Sequence, residues 1–319
     1  MADAAQPIAW LNGRALPEAS LSVPVGDAGF VLGASVTEQL RTFRGRLFSP
    51  EAHATRLAES LAITGIDLAA ARSPQGERLG LTVPEVIAAA AHVAEHNAAL
   101  GPADDDLGVV IFATPGDLAA QHGGEPGTPR VAIHSFPLAF RLWHQAYTTG
   151  VALRRVRIRQ VPDTCWPVRL KCRSRMHYHL ADREAAALEP GSRAILEDLD
   201  GAICETSTAN LIAVHGGVLS PPTHALEGVS LGYVQTLAVQ QGLAWEPRRL
   251  VAADLASAEE LILTSTPNCL LPVTRYEGQP VGNGQPGPVF RHLLDAWTSA
   301  VRVDIAEQAR RGAARAAHA

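Results

Sequence analysis

The stretch "VRLKCRSRMHYHLADREA" spans residues 168–185 and holds Lys171, the single lysine among the 27 Lys and Arg residues of a 319-residue chain. Arginine stays protonated in proteins and its guanidinium is a poor nucleophile. A lysine amine sheds its proton on burial and attacks a carbonyl to form a Schiff base. At a surface ion pair arginine serves as well. A position that keeps lysine against this usage is an imine-forming residue or a chance survivor on the surface, and the count alone leaves both open.

The rest of the chain bounds the class. Its length suggests two domains or one large one. A content of 47% hydrophobic and 18% charged residues describes a soluble globular protein with a large core. A net charge of −5 and a pI near 6.2 give no sign of a nucleic-acid or membrane partner. The basic run "RRVRIR" (154–159) alternates with Val and Ile, which reads as a strand with one solvated face. No apolar run reaches membrane-spanning length. The opening "MADAAQPIAWLNG" lacks the basic segment and apolar core of a secretory leader, so none is expected. Cys165, Cys172, Cys204 and Cys269 are scattered without a CxxC pair, so neither a metal site nor a disulfide framework is expected, and a reducing cytoplasm fits best.

Periodicity places the elements. Hairpins are expected around Asn12-Gly13 and Arg44-Gly45. Helical spacing of Leu57, Leu61 and Ile66 marks residues 50–66, and a second helix runs through "VPEVIAAAAHVAEHNAAL", with Pro84 where a first turn tolerates it. Strands "LGVVIFAT" and "RVAIHSFPL" flank a Gly/Pro-rich loop at 115–129. These form an expected first domain, residues 1–138, with helices beside a mostly antiparallel sheet. A linker is expected at 139–150 and a second domain at 151–301. The second domain carries strand "GVALRRVRI", the helix after Lys171, a hairpin turning at Asp200-Gly201, a helix over about 228–241, strands "ELILTS" and "LLPVTRY", and a last helix "GPVFRHLLDAW". The Ala/Arg-rich tail, 302–319, reads as frayed helix or disorder.

Two motifs mislead. "GVSLG" (228–232) fits G-x-S-x-G, with "HGG" at 215–217, but a nucleophile elbow needs a strand immediately before the serine, and two prolines stand in "SPPTHALE". The HGG reads as a hairpin turn. "GNGQPG" (282–287) fits G-x-G-x-x-G, yet Pro286 and its late position favour a plain turn.

After Lys171 come "DGAICETSTANLI" with Glu205, "LEGVS" opening a helix, and "TSTPNCLLPV"; before it stands "VPVGDAGFVLGASVTEQLRTFRGRLFSPEAHATRLAESL". This ordered set resembles the class IV aminotransferases, the fold-type IV pyridoxal-phosphate enzymes. That family includes branched-chain and D-amino-acid aminotransferases and aminodeoxychorismate lyase. The resemblance runs from about residue 9 to about 297. It implies an α+β, two-domain fold, with a smaller N-terminal α/β sandwich and a larger C-terminal β-barrel-like domain that binds the cofactor.

The resemblance also implies roles. Lys171 would form the Schiff base with pyridoxal 5′-phosphate and then act as the base that moves a proton. Glu205 would face the pyridine nitrogen and keep the ring protonated. Val229 and Ser230, at a helix start, would meet the phosphate, with Ser265, Thr266 and the bidentate donor Arg56. Leu226 would pack on the ring. Read without the resemblance, Glu205 is a strand-end carboxylate, Arg56 a helix-surface arginine and Leu226 ordinary core.

The substrate side is less distinct. Thr37 stands where the aminotransferases usually carry Phe or Tyr. Met176 stands where branched-chain enzymes carry a tyrosine on the cofactor's phenolic oxygen, and Tyr178, on the same helical face as Lys171, is the expected substitute. Arg41, Arg173, Arg175 and His122 are candidates for holding a substrate carboxylate. The expected reaction is amino transfer between an amino acid and a 2-oxo acid. Aminodeoxychorismate lyase and a binding protein that kept only the fold are the alternatives. A homodimer is implied by the resemblance.

Overall fold

A computed structural model describes residues 6–102 and 105–315. The chain falls into two units: one runs up to Leu138 and takes back Leu170–Ser174, and the other comprises Ala139–Arg169 and the chain from Arg175 on.

In the first unit both expected hairpins form. β1 (Ile8–Leu11) and β2 (Arg14–Pro17) join through Asn12 and Gly13, and β3 (Val36–Phe43) and β4 (Arg46–Leu47) through Arg44 and Gly45. All four turn residues have φ between 42° and 82°, the left-handed pair that matches the twist of flanking strands. With β5 (Leu107–Thr114) and β6 (Arg130–Pro137) they make an antiparallel sheet in the order β2-β1-β6-β5-β3-β4. Among the described residues, the α-helices of this unit are α1 (Ala28–Val31), α2 (Pro50–Thr64) and α3 (Val83–Ala98). A Thr82–Glu85 capping box starts α3, and Gly65 ends α2 in the left-handed conformation. Leu57 and Leu61 of α2 and Val86, Ala90 and Val93 of α3 pack on Val36, Leu40, Val109, Ile111 and Ile133 of the sheet. This is a two-layer α/β sandwich.

The second unit is built on a closed ring of strands. Its elements are α4 (Ala146–Thr149), β7 (Val151–Arg159), α5 (Met176–Leu188), β8 (Arg193–Glu197), β9 (Ile203–Thr206), β10 (Asn210–His215), β11 (Val218–Ser220), α6 (Val229–Gln240), β12 (Ala244–Trp245), α7 (Ala252–Ala256), β13 (Glu260–Ser265), β14 (Cys269–Tyr276), β15 (Gln279–Pro280), α8 (Pro288–Val301) and α9 (Ile305–Arg315). The pairings run β10-β13-β14-β7-β8-β9, and β9 pairs back onto β10 through Glu205 and Asn210. Six strands thus close on themselves, which removes sheet edges within the ring. β7 and β8 are parallel and joined through α5, as a parallel pair requires. Tyr178, Ala181 and Ala185 form the face of α5 that packs on Val156, Ala194 and Leu196. α8 has no side-chain cap of its own. Glu260 of β13 supplies one, with Val289 N donating to Oε1 at 2.8 Å and Phe290 N to Oε2 at 2.9 Å.

Four expectations differ from what is observed. Residues 139–150 are not a plain linker: they carry a 3₁₀ turn, Phe140–Leu142, and α4. The Asp200-Gly201 connection is longer than a two-residue turn, because Asp198 Oδ1 accepts from Asp200 N and Ala202 N and closes a wider loop. The tail is ordered helix through Arg315: Ile305, Ala309 and Ala313 are buried and Gly312 packs on the Phe140 ring; 316–319 lie outside the described residues. Small residues give a weak sequence signal, and only the close approach that Gly312 permits turns them into a packed face. Finally, Lys171 belongs with the first unit rather than with the expected cofactor domain.

Candidate active site

Glu205 lies on β9 and forms the closing pair with Asn210. Thr206 makes the reversal into β10 by donating its hydroxyl to Ala209 O at 3.0 Å and accepting from Ala209 N at 2.9 Å. The Glu205 residue is 6% exposed. Its Oε1 accepts from Tyr178 OH at 2.9 Å, Gln160 Nε2 at 3.3 Å and Leu226 N at 3.3 Å, while Oε2 meets Asn210 Nδ2 at 3.4 Å. Gln160 Nε2 also donates to Tyr178 OH at 3.0 Å, and the Arg175 guanidinium lies 4.5 Å over the Tyr178 ring. Burial, followed by the Glu205 charge, pushes the Tyr178 phenol well above its ordinary range, so it stays protonated and donates.

Asn210 extends this network. Its Nδ2 donates to Leu226 O at 2.8 Å, so the Leu226 backbone is tied at both ends, its N–H to Glu205 and its carbonyl to Asn210. Two residues on, Gly228 is the N-cap of α6 and offers no side-chain cap. The chain passes so close to Asn210 that a Cβ at Gly228 would fall inside the Asn210 carboxamide oxygen. A helix start without a side-chain cap suits an anion. Ser230 is buried in its first turn. Ser265 ends β13 with its hydroxyl donated to Asn268 Oδ1 at 2.9 Å, and Thr266 follows, half-buried.

In the first unit, Lys171 is held as an extra extended segment beside β3. Thr37 N donates to Lys171 O at 3.0 Å, Val36 bridges Cys172, and Lys171 N donates to Ser60 Oγ at 3.2 Å. Ser60 is one turn along α2 from Arg56. Arg56 makes a two-point pair with Glu38, Nε to Oε1 at 2.8 Å and Nη2 to Oε2 at 2.7 Å, and His53 Nδ1 lies 2.7 Å from Glu38 Oε2. Burial pushes Glu38 upward, but Arg56 and then His53 overcome it and hold the carboxyl down to about 2. Burial lowers His53 despite Glu38, and the charges of Arg56 and Lys171 act in the same direction. Neutral His53 therefore hydrogen-bonds Glu38, and Arg56 carries the compensating charge.

The structure thus joins Lys171, Thr37 and Arg56 in one cluster, and Glu205, Tyr178 and Leu226 in another. The Tyr178 hydroxyl is donated to Glu205 Oε1. Arg41 is 1% exposed and built into the first unit, with Nη2 3.8 Å from Asp106 Oδ2 and its guanidinium 3.9 Å over the Phe43 ring. The Thr37 hydroxyl is donated to Ile111 O at 3.0 Å. Glu38, His53, Gln160 and Asn210 escaped the sequence reading. Glu38, His53 and Asn210 stand inside the quoted motifs, as E-x-x-R in β3, H-x-x-R in α2 and E-x₄-N across the β9–β10 reversal, but only the fold gives them their partners, and Gln160 has no such local signal.

The profile of amino-transferase class IV matches residues 35–276, which takes in all of these side chains. The chain belongs to the class IV aminotransferase family. This class IV chain is an enzyme of that family. It is 26% identical over 303 residues to a D-alanine aminotransferase of Bacillus licheniformis, covering 93% of this chain and 98% of the relative. The fold is similar to the branched-chain amino acid aminotransferase of Escherichia coli (TM-score 0.81, 23% identity, 92% and 94% of the two chains). It is also similar to a T.th. branched-chain amino acid aminotransferase with pyridoxamine 5′-phosphate (TM-score 0.79, 23% identity, 93% and 94%). No helix among the described residues of this family member is long and apolar enough to cross a membrane.

Proposed function

We propose that this class IV aminotransferase binds pyridoxal 5′-phosphate and transfers an amino group between an amino acid and a 2-oxo acid. The carrying observation is Glu205, a buried carboxylate held by Tyr178, Gln160 and the Leu226 amide two residues before a helix start with no side-chain cap. A buried acid beside an anion-binding helix start is a donor set that fits a protonated pyridine ring carrying a phosphate. When bound, the cofactor supplies an electron sink for the charge that develops on the substrate carbon.

In this reading the amides of Val229 and Ser230, the hydroxyls of Ser230, Ser265 and Thr266, and Arg56 would hold the phosphate. Glu205 would face the ring nitrogen, and Leu226 would pack on the ring. Lys171 supplies the amine that anchors the cofactor covalently and then moves a proton at Nζ. Glu38 fixes Arg56 in one orientation through two hydrogen bonds, which pre-organises a phosphate donor. Thr37, next to the Lys171 carbonyl, lines the substrate side. A homodimer and a cytoplasmic location belong to this reading through the family resemblance and the composition; light scattering at assay concentration measures the former.

The test is a half-reaction screen. Protein loaded with pyridoxal phosphate is mixed with amino donors of both hands, and conversion to the pyridoxamine spectrum is followed. Conversion with at least one donor, and loss of the cofactor's protein-bound absorbance band in Lys171→Ala, is expected. No band in the parent protein removes the cofactor reading. No conversion with any donor, together with pyruvate release from aminodeoxychorismate, replaces transfer by elimination.

A further inference from the structure

Three donors converge on a single oxygen of Glu205. Tyr178 OH, Gln160 Nε2 and Leu226 N all point to Oε1, at 2.9, 3.3 and 3.3 Å. A carboxylate oxygen offers about two lone-pair sites. Oε1 is therefore filled by the protein itself, while Oε2 meets Asn210 Nδ2 at 3.4 Å. The strongest of the three contacts is the best supported. Tyr178 is anchored on α5 by the face that packs on Val156, Ala194 and Leu196, and Arg175 stacks on its ring. Gln160 Nε2 donates to the phenolic oxygen at 3.0 Å, so the phenol O–H is directed at Glu205. Gln160 keeps its Nε2 on this pair although its own Oε1 is buried without a hydrogen-bond partner among the described residues. The reversed amide would set an oxygen against the carboxylate.

We infer that Tyr178 is a positioning residue for Glu205: with Gln160 and the Leu226 amide it fills Oε1, fixes the carboxylate plane, and keeps Glu205 ionised so that the proton resides on the cofactor's ring nitrogen. A buried carboxylate without such donors takes up a proton, because burial disfavours the charged form. Hydrogen bonds to the ionised form oppose that. The raised Tyr178 phenol fits this arrangement, since a phenol that does not ionise remains a donor at every working pH. The ring nitrogen and the phenolic oxygen are different positions of the pyridine ring, and Tyr178 has one proton to give. Its place on Glu205 therefore assigns it to the nitrogen side. The inference rests on the pyridoxal-phosphate reading above.

The experiment uses full-length protein loaded with pyridoxal phosphate carrying ¹⁵N in the ring, with the nitrogen resonance recorded against pH for the parent, Tyr178→Phe and Gln160→Leu. The parent is expected at the pyridinium position across neutral pH. Tyr178→Phe is expected to move to the neutral-pyridine position at neutral pH and to bind the cofactor about tenfold more weakly. Gln160→Leu is expected to shift in the same direction by less, since the hydroxyl loses its guide but not its proton. Fluorotyrosine at position 178 keeps the donor and is expected to restore the parent resonance, which a merely structural role of the ring would not separate from Phe. A Tyr178→Phe protein that keeps the parent's pyridinium signal and pH dependence overturns the inference. So does an unchanged ring nitrogen with a shifted absorbance titration, which would place Tyr178 on the phenolic oxygen. Parent protein that takes up no pyridoxal phosphate fails earlier and takes the functional reading with it, so the two failures are distinct.

Discussion

Asn210 faces Glu205 across the strand pairing that closes the barrel, with its amide nitrogen 3.4 Å from Glu205 Oε2 and 2.8 Å from the Leu226 carbonyl. One side chain thereby joins the closure of the ring, the buried carboxylate and the loop that leads into α6. Replacing it frees the Leu226 carbonyl and loosens that loop. Asn210→Ala is expected to lose about 1–2 kcal/mol of stability, the scale of a buried carbonyl left unpaired, and to bind pyridoxal phosphate about tenfold more weakly. Urea unfolding and a spectral titration measure the two. Unchanged affinity would show that the loop is held without Asn210.

Acid should find the Glu38 cluster. Glu38 is held down to about 2 against 4.5 for an ordinary glutamate, so its contribution is complete above about pH 4.5 and is lost as pH falls through about 2. By linkage this is worth about 3 kcal/mol. His53 is lowered from 6.5 and buried neutral, so it too loses stability on acidification, beginning below pH 6.5. Glu38→Gln should be less stable than the parent at pH 7 and should decline less between pH 5 and pH 3, on the order of the same few kcal/mol. Equally steep declines in both proteins, read by urea unfolding at each pH, would remove Glu38 from this role.

Two glycines of the same helix region separate a close approach from free space. Gly228 has φ of −71°, which any residue adopts, so Gly228→Ala acts through the collision with Asn210 alone. It should weaken binding of pyridoxal phosphate by about tenfold or more. Gly232 lies inside α6 with nothing near its missing Cβ. Gly232→Ala should leave binding alone and raise stability by about 0.5–1 kcal/mol. Equal effects of the two on cofactor titration would count against the close approach.

Glu260 is a cap supplied from another element. Its carboxylate serves the first two free amides of α8, so Glu260→Ala should destabilise the protein by about 1–2 kcal/mol. Glu260→Gln, which keeps one acceptor oxygen, should lose less. Thermal or urea unfolding that ranks the two variants the other way would contradict the capping role.

Local signals carried most of the element map. Asn12-Gly13 and Arg44-Gly45 name their turns because few residue pairs accept positive φ twice, and Leu57, Leu61 and the Val86–Val93 face declare their helices by period. The tail did not declare itself, since Ala309, Gly312 and Ala313 gain meaning only against Phe140. Within the site, Glu205 was legible because its motif is contiguous. Gln160 was not: it lies 45 residues from Glu205, and no local pattern reports a hydrogen bond of that span.

By itself the sequence determined which chemistry the chain can carry: one lysine, a carboxylate in an E-x₄-N block, and a glycine-led helix start, in an order that names the family. Only the tertiary structure decided what each group is bonded to. It placed Lys171 with the first unit, paired Arg56 with Glu38, and set the Tyr178 hydroxyl against Glu205. The physical reason is range. Turn preference and helical period act over a few residues and are written locally, whereas a buried side chain's charge and hydrogen bonds are set by whatever the closed ring and the packed helices bring against it.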